Sequence, residues 1–135
     1  MPAHEGFQSH VSGRLIDGIR RRAKYLILDL HGASPNLLVL HLGMTGSLLV
    51  QANAEPRPRY AHNVFALDGG VELRFVDPRK LGKMWVAGDE SEVLAGLGPE
   101  PLDPGFTPEV LGQRLSARDA PVRALLCDQA VVAGI

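Results

Sequence analysis

The sequence predicts a mainly β protein with helices, built as a partial two-layer antiparallel β-sandwich followed by the start of a helical region. Two observations predict this α+β class. Short β-type runs recur between turn signals through the first two thirds of the chain. Helix signals appear in the acidic final third. We therefore expect a partial sandwich over residues 1–103 and an incomplete helical region over residues 104–135.

Seven runs of β-forming residues define the predicted strands. They span residues 14–20, 25–30, 37–41, 47–51, 63–67, 71–76 and 83–86. The tripeptide Asp68-Gly69-Gly70 predicts a hairpin between the fifth and sixth runs, because glycine adopts a positive φ without steric cost. Residues 51–59 carry two prolines and no periodicity, which predicts a mobile surface loop.

Two helices are predicted in the final third. Thr107-Pro108-Glu109 is typical of a helix start: a capping hydroxyl, a proline at the first helical position and an acid near the positive end of the dipole. Residues 121–128 resemble the opening of a second helix. The chain then stops at the apolar segment 130–135, which has no evident packing partner and predicts an exposed end of a truncated segment.

The amino-acid composition limits the classes of protein to which the chain can belong. The chain has 135 residues, of which 45% are hydrophobic and 21% charged, as expected of one soluble domain. No run approaches the roughly 18 apolar residues of a membrane span, and residues 1–7 do not resemble a secretory signal. We expect a cytoplasmic protein that does not bind membranes. The single cysteine, Cys127, excludes an internal disulfide and a cysteine-only zinc site, and its apolar neighbours predict burial.

Charge is unevenly distributed along the chain. Residues 1–88 contain eleven Lys and Arg against seven acids, and residues 89–135 contain three against eight. The bases cluster at residues 20–24, 57–59 and 79–83. Such clusters can contact phosphates although the net charge is only −1. They can equally be solvated strand ends and loops.

Five motifs occur in a fixed order. They are RRRAKYLILDL (20–30), HLGMTGSL (41–48), RFVDPRKLGKM (74–84), LGPEPL (97–102) and LLCDQAVVAGI (125–135). In this order and spacing they resemble formamidopyrimidine-DNA glycosylases, bacterial repair enzymes that excise oxidised purines and then cut the abasic strand. The similarity runs from about Val11 to Ile135. It implies double-stranded damaged DNA as the partner, and a monomer.

The resemblance assigns Met44, Arg79 and Leu81 to the DNA interface. An enzyme that turns a nucleotide out of the stack leaves a gap that costs a few kcal/mol. Met44, unbranched and on a glycine-flanked turn, can fill it as an apolar wedge. Arg79 matches the arginine that hydrogen-bonds the orphaned base, and Leu81 stands where phenylalanine is usual. We expect the two loops to be adjacent hairpin tips on a shared sheet; the alternative for Met44 is a gap-filling core side chain.

Two further residues are assigned by the resemblance alone. Lys24 matches the family lysine that reaches the DNA beside the lesion, the catalytic position in this chain. His41 matches a histidine that contacts a backbone phosphate. Without the resemblance, Lys24 would be read as a solvated lysine and His41 as a hydrogen-bonded strand-end histidine. Asp77-Pro78 and the glycines beside them are expected to shape the two loops, and Glu100 to fix the turn before the helices.

The family nucleophile is an N-terminal proline, exposed by removal of methionine and followed by a glutamate. Pro2 is the corresponding candidate, because a terminal amine titrates near ~8 and is partly neutral in cells. It is followed by Ala3-His4, and only about twenty residues separate it from the RRRAK strand, where the family places a long helix and further strands. We expect Pro2 not to reach the site and the chain alone to be inactive.

Three hypotheses follow. The first is a truncated glycosylase/AP lyase of base-excision repair, without cofactor because the family zinc finger is absent. The second is a non-catalytic module that binds DNA damage. The third is a remnant that does not fold alone, because an open sheet edge is left unpaired; cooperative melting would exclude it.

Overall fold

The computed structural model describes the backbone of residues 4–135 and the side chains of residues 6–135. In chain order the elements of this range are α1 (His4–Val11), β1 (Ile16–Arg22), β2 (Tyr25–Leu30), β3 (Leu37–His41), β4 (Ser47–Ala52), β5 (Ala61–Leu67), β6 (Val71–Val76), β7 (Lys83–Ala87), α2 (Ser91–Leu94), α3 (Pro108–Ser116) and α4 (Val122–Cys127).

The strands of the described range form two sheets. A four-stranded sheet has the order β1-β2-β3-β7, and a three-stranded sheet has the order β4-β6-β5. β1 pairs antiparallel with β2, and β6 pairs antiparallel with both β4 and β5. The predicted class, a mainly β and mostly antiparallel protein with a few helices, is confirmed.

By its internal contacts the chain divides into two compact units. One contains the chain up to Val39 together with Trp85–Ile135, and the other is Leu40–Met84. The boundary predicted between residues 103 and 104 stays a prediction. No helix in the described range has the length and apolar character needed to cross a bilayer.

The core of the first unit has two described clusters. Ile27, Val39 and Ala87 lie at the centre of the first, against which Trp85 packs. The second joins the two C-terminal helices to the end of the chain: Leu125, Val131 and Val132 are at most 5% exposed. The prediction that the apolar segment after residue 129 lacks a packing partner is therefore wrong. Phe106, Leu111 and Leu115 pack against it.

In the second unit, a buried charge pair lies on the central strand β6. Arg74 is 0% exposed and Glu72 5%. The Arg74 guanidinium donates to Glu72, to the Gln51 side chain, and to the carbonyls of Ala52, Glu55 and Pro56. The loop at residues 51–59 is largely exposed, as predicted, but three of its carbonyls are tied to the sheet. The predicted surface position of this loop is confirmed, and its mobility stays a prediction.

Local predictions were met to differing degrees. The hairpin at Asp68–Gly70 is confirmed, with φ of +79° at Gly69 and +74° at Gly70. The cap of α3 is also confirmed, because the Thr107 hydroxyl accepts a hydrogen bond from the Val110 amide. Helices α1 and α2 were not predicted. Cys127 is exposed, so the prediction of its burial is wrong.

Candidate nucleic-acid interface

Two loops of the second unit carry three of the predicted DNA-contacting residues. The first loop, residues 42–46, leads from β3 to β4, and the second loop, residues 77–82, leads from β6 to β7. Each therefore connects a strand of one sheet to a strand of the other. The expectation that both loops are hairpin tips on a shared sheet is wrong, although the loops do lie side by side.

The backbones of the two loops touch at glycines. Gly43 has a φ of +67°, and a Cβ added to it would lie 2.9 Å from the backbone nitrogen of Gly82 and from the carbonyl carbon of Leu81. A Cβ on Gly82 would lie 2.3 Å from the ring of Phe75. Since neither contact tolerates a side chain, glycine is required at both positions for the loops to approach this closely.

The carboxylate of Asp77 is hydrogen-bonded to both loops. Its Oδ1 accepts from the Thr45 hydroxyl of the first loop at 2.7 Å and from the Arg79 amide of the second at 3.2 Å. Its Oδ2 accepts from the Gly82 amide at 2.7 Å. Asp77 is 0% exposed, so these bonds replace the water that an ionised carboxylate would otherwise require.

Hydrogen bonds keep this buried carboxylate ionised. The Gly82 amide and then the Thr45 hydroxyl lower the pKa of Asp77 below its ordinary value, and they outweigh the effect of burial, which raises it. The backbone of Asp77 is held as well. Its carbonyl accepts a hydrogen bond from His62 Nε2 at 2.9 Å, and its amide donates to the Tyr60 carbonyl.

Met44 and Arg79 project from these loops as neighbours. Met44 is 76% exposed and Leu81 43%. The Arg79 guanidinium donates a hydrogen bond to the Met44 sulfur, with Nη1 and Sδ 3.6 Å apart. The alternative of a buried, gap-filling Met44 is therefore excluded. The second unit presents two exposed apolar side chains and a cation from adjoining loops.

His41 lies at the end of β3, immediately before the first loop. Its Nδ1 accepts a hydrogen bond from the Gly43 amide at 3.1 Å. This bond favours the neutral tautomer with its proton on Nε2, which is the form that can donate to a phosphate oxygen. His41 is partly exposed.

Lys24 lies in the first unit, in the two-residue turn that joins β1 to β2, and is exposed. Glu100 of the LGPEPL motif holds this turn. Its Oε1 accepts from the Ala23 amide and, at 3.0 Å, from Arg22 Nη1. Arg21 lies 3.5 Å from the other carboxylate oxygen. Sequence reasoning assigned Glu100 to the turn before the helices and missed this contact, for which the sequence carries no local signal.

Pro2 precedes the described residues, so its assignment as a candidate nucleophile stays a prediction. Among the described side chains, those of residues 6–135, no group of three or more His, Cys, Asp or Glu is arranged to hold a metal ion.

The two sheets and the two adjoining loops lie almost entirely in a segment that matches a domain of DNA glycosylases. A family profile described as the formamidopyrimidine-DNA glycosylase N-terminal domain matches residues 1–84. The chain belongs to the formamidopyrimidine-DNA glycosylase family.

Individual relatives agree with this assignment. The formamidopyrimidine-DNA glycosylase of Symbiobacterium thermophilum is 47% identical over 96% of this chain and 43% of its own length. That of Stenotrophomonas maltophilia strain R551-3 is 49% identical over 91% of this chain and 45% of its own. The chain thus spans about half the length of the curated relatives it matches.

Solved structures share the fold. The Lactococcus lactis formamidopyrimidine-DNA glycosylase bound non-covalently to DNA with an AP site matches 97% of this chain and 51% of its own, with a TM-score of 0.82 and 27% identity. The complex of the L. lactis enzyme with DNA containing FAPY-dG matches 97% of this chain and 50% of its own, with a TM-score of 0.85 and 26% identity.

Proposed function

We propose that this chain acts on damaged double-stranded DNA as part of a glycosylase/AP lyase of base-excision repair for oxidised purines, and that the two loops supply its damage-probing surface. Met44 and Leu81 fill the gap left by the everted nucleotide, and Arg79 hydrogen-bonds the orphaned base. His41 contacts a nearby phosphate, and Lys24 reaches the DNA beside the lesion. The proposed setting is the bacterial cytoplasm, at the nucleoid, with the protein as a monomer.

The observation that carries this proposal is the exposed pair of Met44 and Arg79. An unbranched apolar side chain that is 76% exposed gains free energy when it enters a dry gap between bases. The guanidinium beside it offers several donors in a plane, which suits the edge of an unpaired base. Both side chains are exposed, so neither contributes to the packing of the core.

Unpaired cations of the second unit support a DNA partner. Arg59, Arg79, Lys80 and Lys83 form no ion pair with a carboxylate among the described side chains, whereas Arg57 is paired with Glu72. Cations without partners can neutralise phosphates without first breaking an ion pair. Binding should therefore weaken as salt concentration rises.

The first test measures binding to two duplexes that differ only in one abasic site. We expect the chain to bind the abasic duplex more tightly than the intact one. Met44→Ala should lower affinity for the abasic duplex about tenfold, because the apolar side chain no longer fills the gap. Arg79→Ala should also weaken binding to the abasic duplex, because the guanidinium no longer hydrogen-bonds the orphaned base.

Val50→Ala provides a matched control. Val50 is 67% exposed on β4, and its substitution removes an exposed apolar side chain that lies outside the two loops. Its affinity for both duplexes should equal that of the wild type. Equal wild-type affinity for the two duplexes would contradict the proposed probing surface.

The second test decides between an enzyme and the non-catalytic damage-binding module. If the chain is an active lyase, the secondary amine of Pro2, freed by removal of Met1, attacks C1′ of the ring-opened abasic sugar, water leaves, and borohydride reduces the resulting iminium ion to a stable tertiary amine. A trapped adduct that disappears when the terminal amine is acetylated would favour the enzyme. Selective binding without an adduct would favour the module, which is supported by the location of both probing loops within one compact unit.

A further inference from the structure

We propose that Thr45 and Asp77 form a latch that sets the two loops in a single arrangement before DNA arrives, and that this latch determines the preference for damaged over intact duplex. The inference rests on the proposed function and extends it to two positioning residues, neither of which needs to touch the DNA.

The hydrogen bonds of the Asp77 carboxylate are the first observation that supports the latch. The only described side-chain hydrogen bond between the first and second loops, apart from that of Arg79 to the Met44 sulfur, runs from the Thr45 hydroxyl to Asp77 Oδ1. The same oxygen accepts from the Arg79 amide, and Oδ2 accepts from the Gly82 amide. One side chain therefore fixes both ends of the second loop and joins it to the residue that follows Met44.

The exposure of the Met44 and Leu81 side chains is the second observation that supports the latch. Met44 and Leu81 expose apolar surface to water, so a loop without restraint would gain free energy by folding these side chains inward. Gly43, which is free to adopt many conformations, adds to the entropy that an unrestrained first loop would lose on binding. A bond to a buried, ionised carboxylate opposes both effects, since its loss would leave Asp77 with an unfilled acceptor.

The difference in burial between Asp77 and Arg79 is the third observation that supports the latch. Arg79 is exposed and can reorient toward a base. Asp77, two residues earlier, is fully buried and has no donor with which to recognise DNA when ionised. Because the loops are already ordered in the folded protein, binding does not have to supply the free energy of ordering them. The affinity for the abasic duplex therefore rises without a new contact to the DNA.

Binding of three variants tests the latch. Thr45→Val removes the hydroxyl with little change of shape, and we expect the preference for the abasic duplex over the intact duplex to fall about fivefold to tenfold. Thr45→Ser retains the hydroxyl and should keep the wild-type preference. Asp77→Asn should resemble Thr45→Val if it folds. Because Thr45 is exposed, Thr45→Val tests the latch without changing a buried charge.

Thr107→Val is the matched control for stability. It removes the hydroxyl that caps α3, far along the chain from both loops, and should lower the melting temperature while leaving the duplex preference unchanged. An unchanged preference in Thr45→Val, or an equal loss in Thr45→Val and Thr107→Val, would overturn the latch.

Amide hydrogen exchange separates failure of the latch from failure of the proposed function. Thr45→Val in the first loop should accelerate exchange of the Gly82 amide in the second loop, in the absence of DNA. Unchanged exchange at Gly82 would overturn the latch even if the wild-type chain prefers damaged DNA. Conversely, accelerated exchange in a chain that binds both duplexes equally would retain the latch as the contact that orders the two loops, and would contradict the proposed function together with the effect of the latch on duplex preference.

Discussion

Leu81 is one of the residues at which this chain departs from the pattern of the family it resembles, because phenylalanine is usual there. It is 43% exposed at the end of the second loop, next to Gly82. Leucine can occupy a gap between bases, but it lacks the flat π surface on which a base stacks. In the proposed function Met44 and Leu81 act as two aliphatic wedges, and their contact with the unpaired base should be weaker than that of an aromatic side chain.

Leu81→Phe should tighten binding to the abasic duplex. Base–aromatic stacking is worth roughly 1–3 kcal/mol, of which leucine already supplies a part through apolar contact, so we expect a gain of about threefold to tenfold. Fluorescence anisotropy with a labelled duplex measures it. Val50→Phe adds a similar ring to an exposed position on β4 and should leave affinity unchanged. A gain of equal size in both variants would mean that the ring acts through non-specific attraction.

Single residues also mark the limit of what the sequence could predict. The pattern Val71-Glu72-Leu73-Arg74-Phe75 reads as a strand with one apolar and one solvated face. Both charged residues are instead buried, because carbonyls of the 51–59 loop cap the Arg74 guanidinium. Nothing local in a strand indicates that a loop twenty residues earlier covers its polar face.

Glu100 shows how an element can be positioned from a distant part of the chain. The turn between β1 and β2 requires Ala23 at a φ of +52°, a conformation that a residue with a Cβ adopts at some cost. Glu100 accepts from the Ala23 amide and pairs with Arg22. Burial raises the pKa of Glu100, but these contacts lower it by more, so the net shift is downward. The carboxylate therefore stays ionised and stabilises the turn that contains Lys24.

Glu100→Gln should loosen the β1–β2 turn. The amide keeps the shape of the side chain but loses its charge and one acceptor, so we expect the free energy of unfolding to fall by about 2 kcal/mol. Urea denaturation measures this change. Trypsin should also cleave faster after Lys24, because a loosened turn exposes its backbone. Glu109→Gln, in the first turn of α3, should leave cleavage at Lys24 unchanged. Faster cleavage in both variants would indicate a general loss of stability.

At the level of elements, prediction succeeded where the signal is local. The bounds of β2, β3 and β6 match the predicted runs, and the cap of α3 follows from the order Thr107-Pro108-Glu109. Helix α2 has four residues and no side-chain cap, and α1 lies in a stretch whose apolar residues are sparse. The path of the two loops between sheets depends on strand pairing, which a single sequence does not reveal.

Across the whole molecule, the ionised carboxylates with displaced pKa values share one physical cause. Hydrogen-bond donors, which are arginines, Ser or Thr hydroxyls and backbone amides, lower the pKa of Glu72, Asp77, Asp89, Glu100 and Glu109. Each of these groups stabilises the folded state only while it is ionised. The molecule should therefore be stable near neutral pH and lose stability progressively in acid, independently of its small net charge.

Glu72 gives this acid dependence its sharpest test. Hydrogen bonds from Arg57 and then from Arg74 lower its pKa from 4.5 to about 2 in the folded chain. As pH falls below 4.5, Glu72 of the unfolded chain binds its proton first, so the stability that Glu72 contributes is complete above that pH and is lost as pH approaches 2. In Glu72→Gln this titration is absent. The stability deficit of the variant against the wild type should thus be largest near neutral pH and shrink between pH 4.5 and 2.

Urea unfolding at a series of pH values measures that deficit, and Leu73→Ala supplies the comparison. Leu73 is 7% exposed on the same strand and has no titrating group, so its removal should cost about 2–5 kcal/mol at every pH. A Glu72→Gln deficit that stays constant with pH, parallel to that of Leu73→Ala, would mean that Glu72 contributes through packing alone. A deficit that narrows in acid while that of Leu73→Ala does not would assign it to the ion pairs with Arg57 and Arg74, which anchor the 51–59 loop to β6.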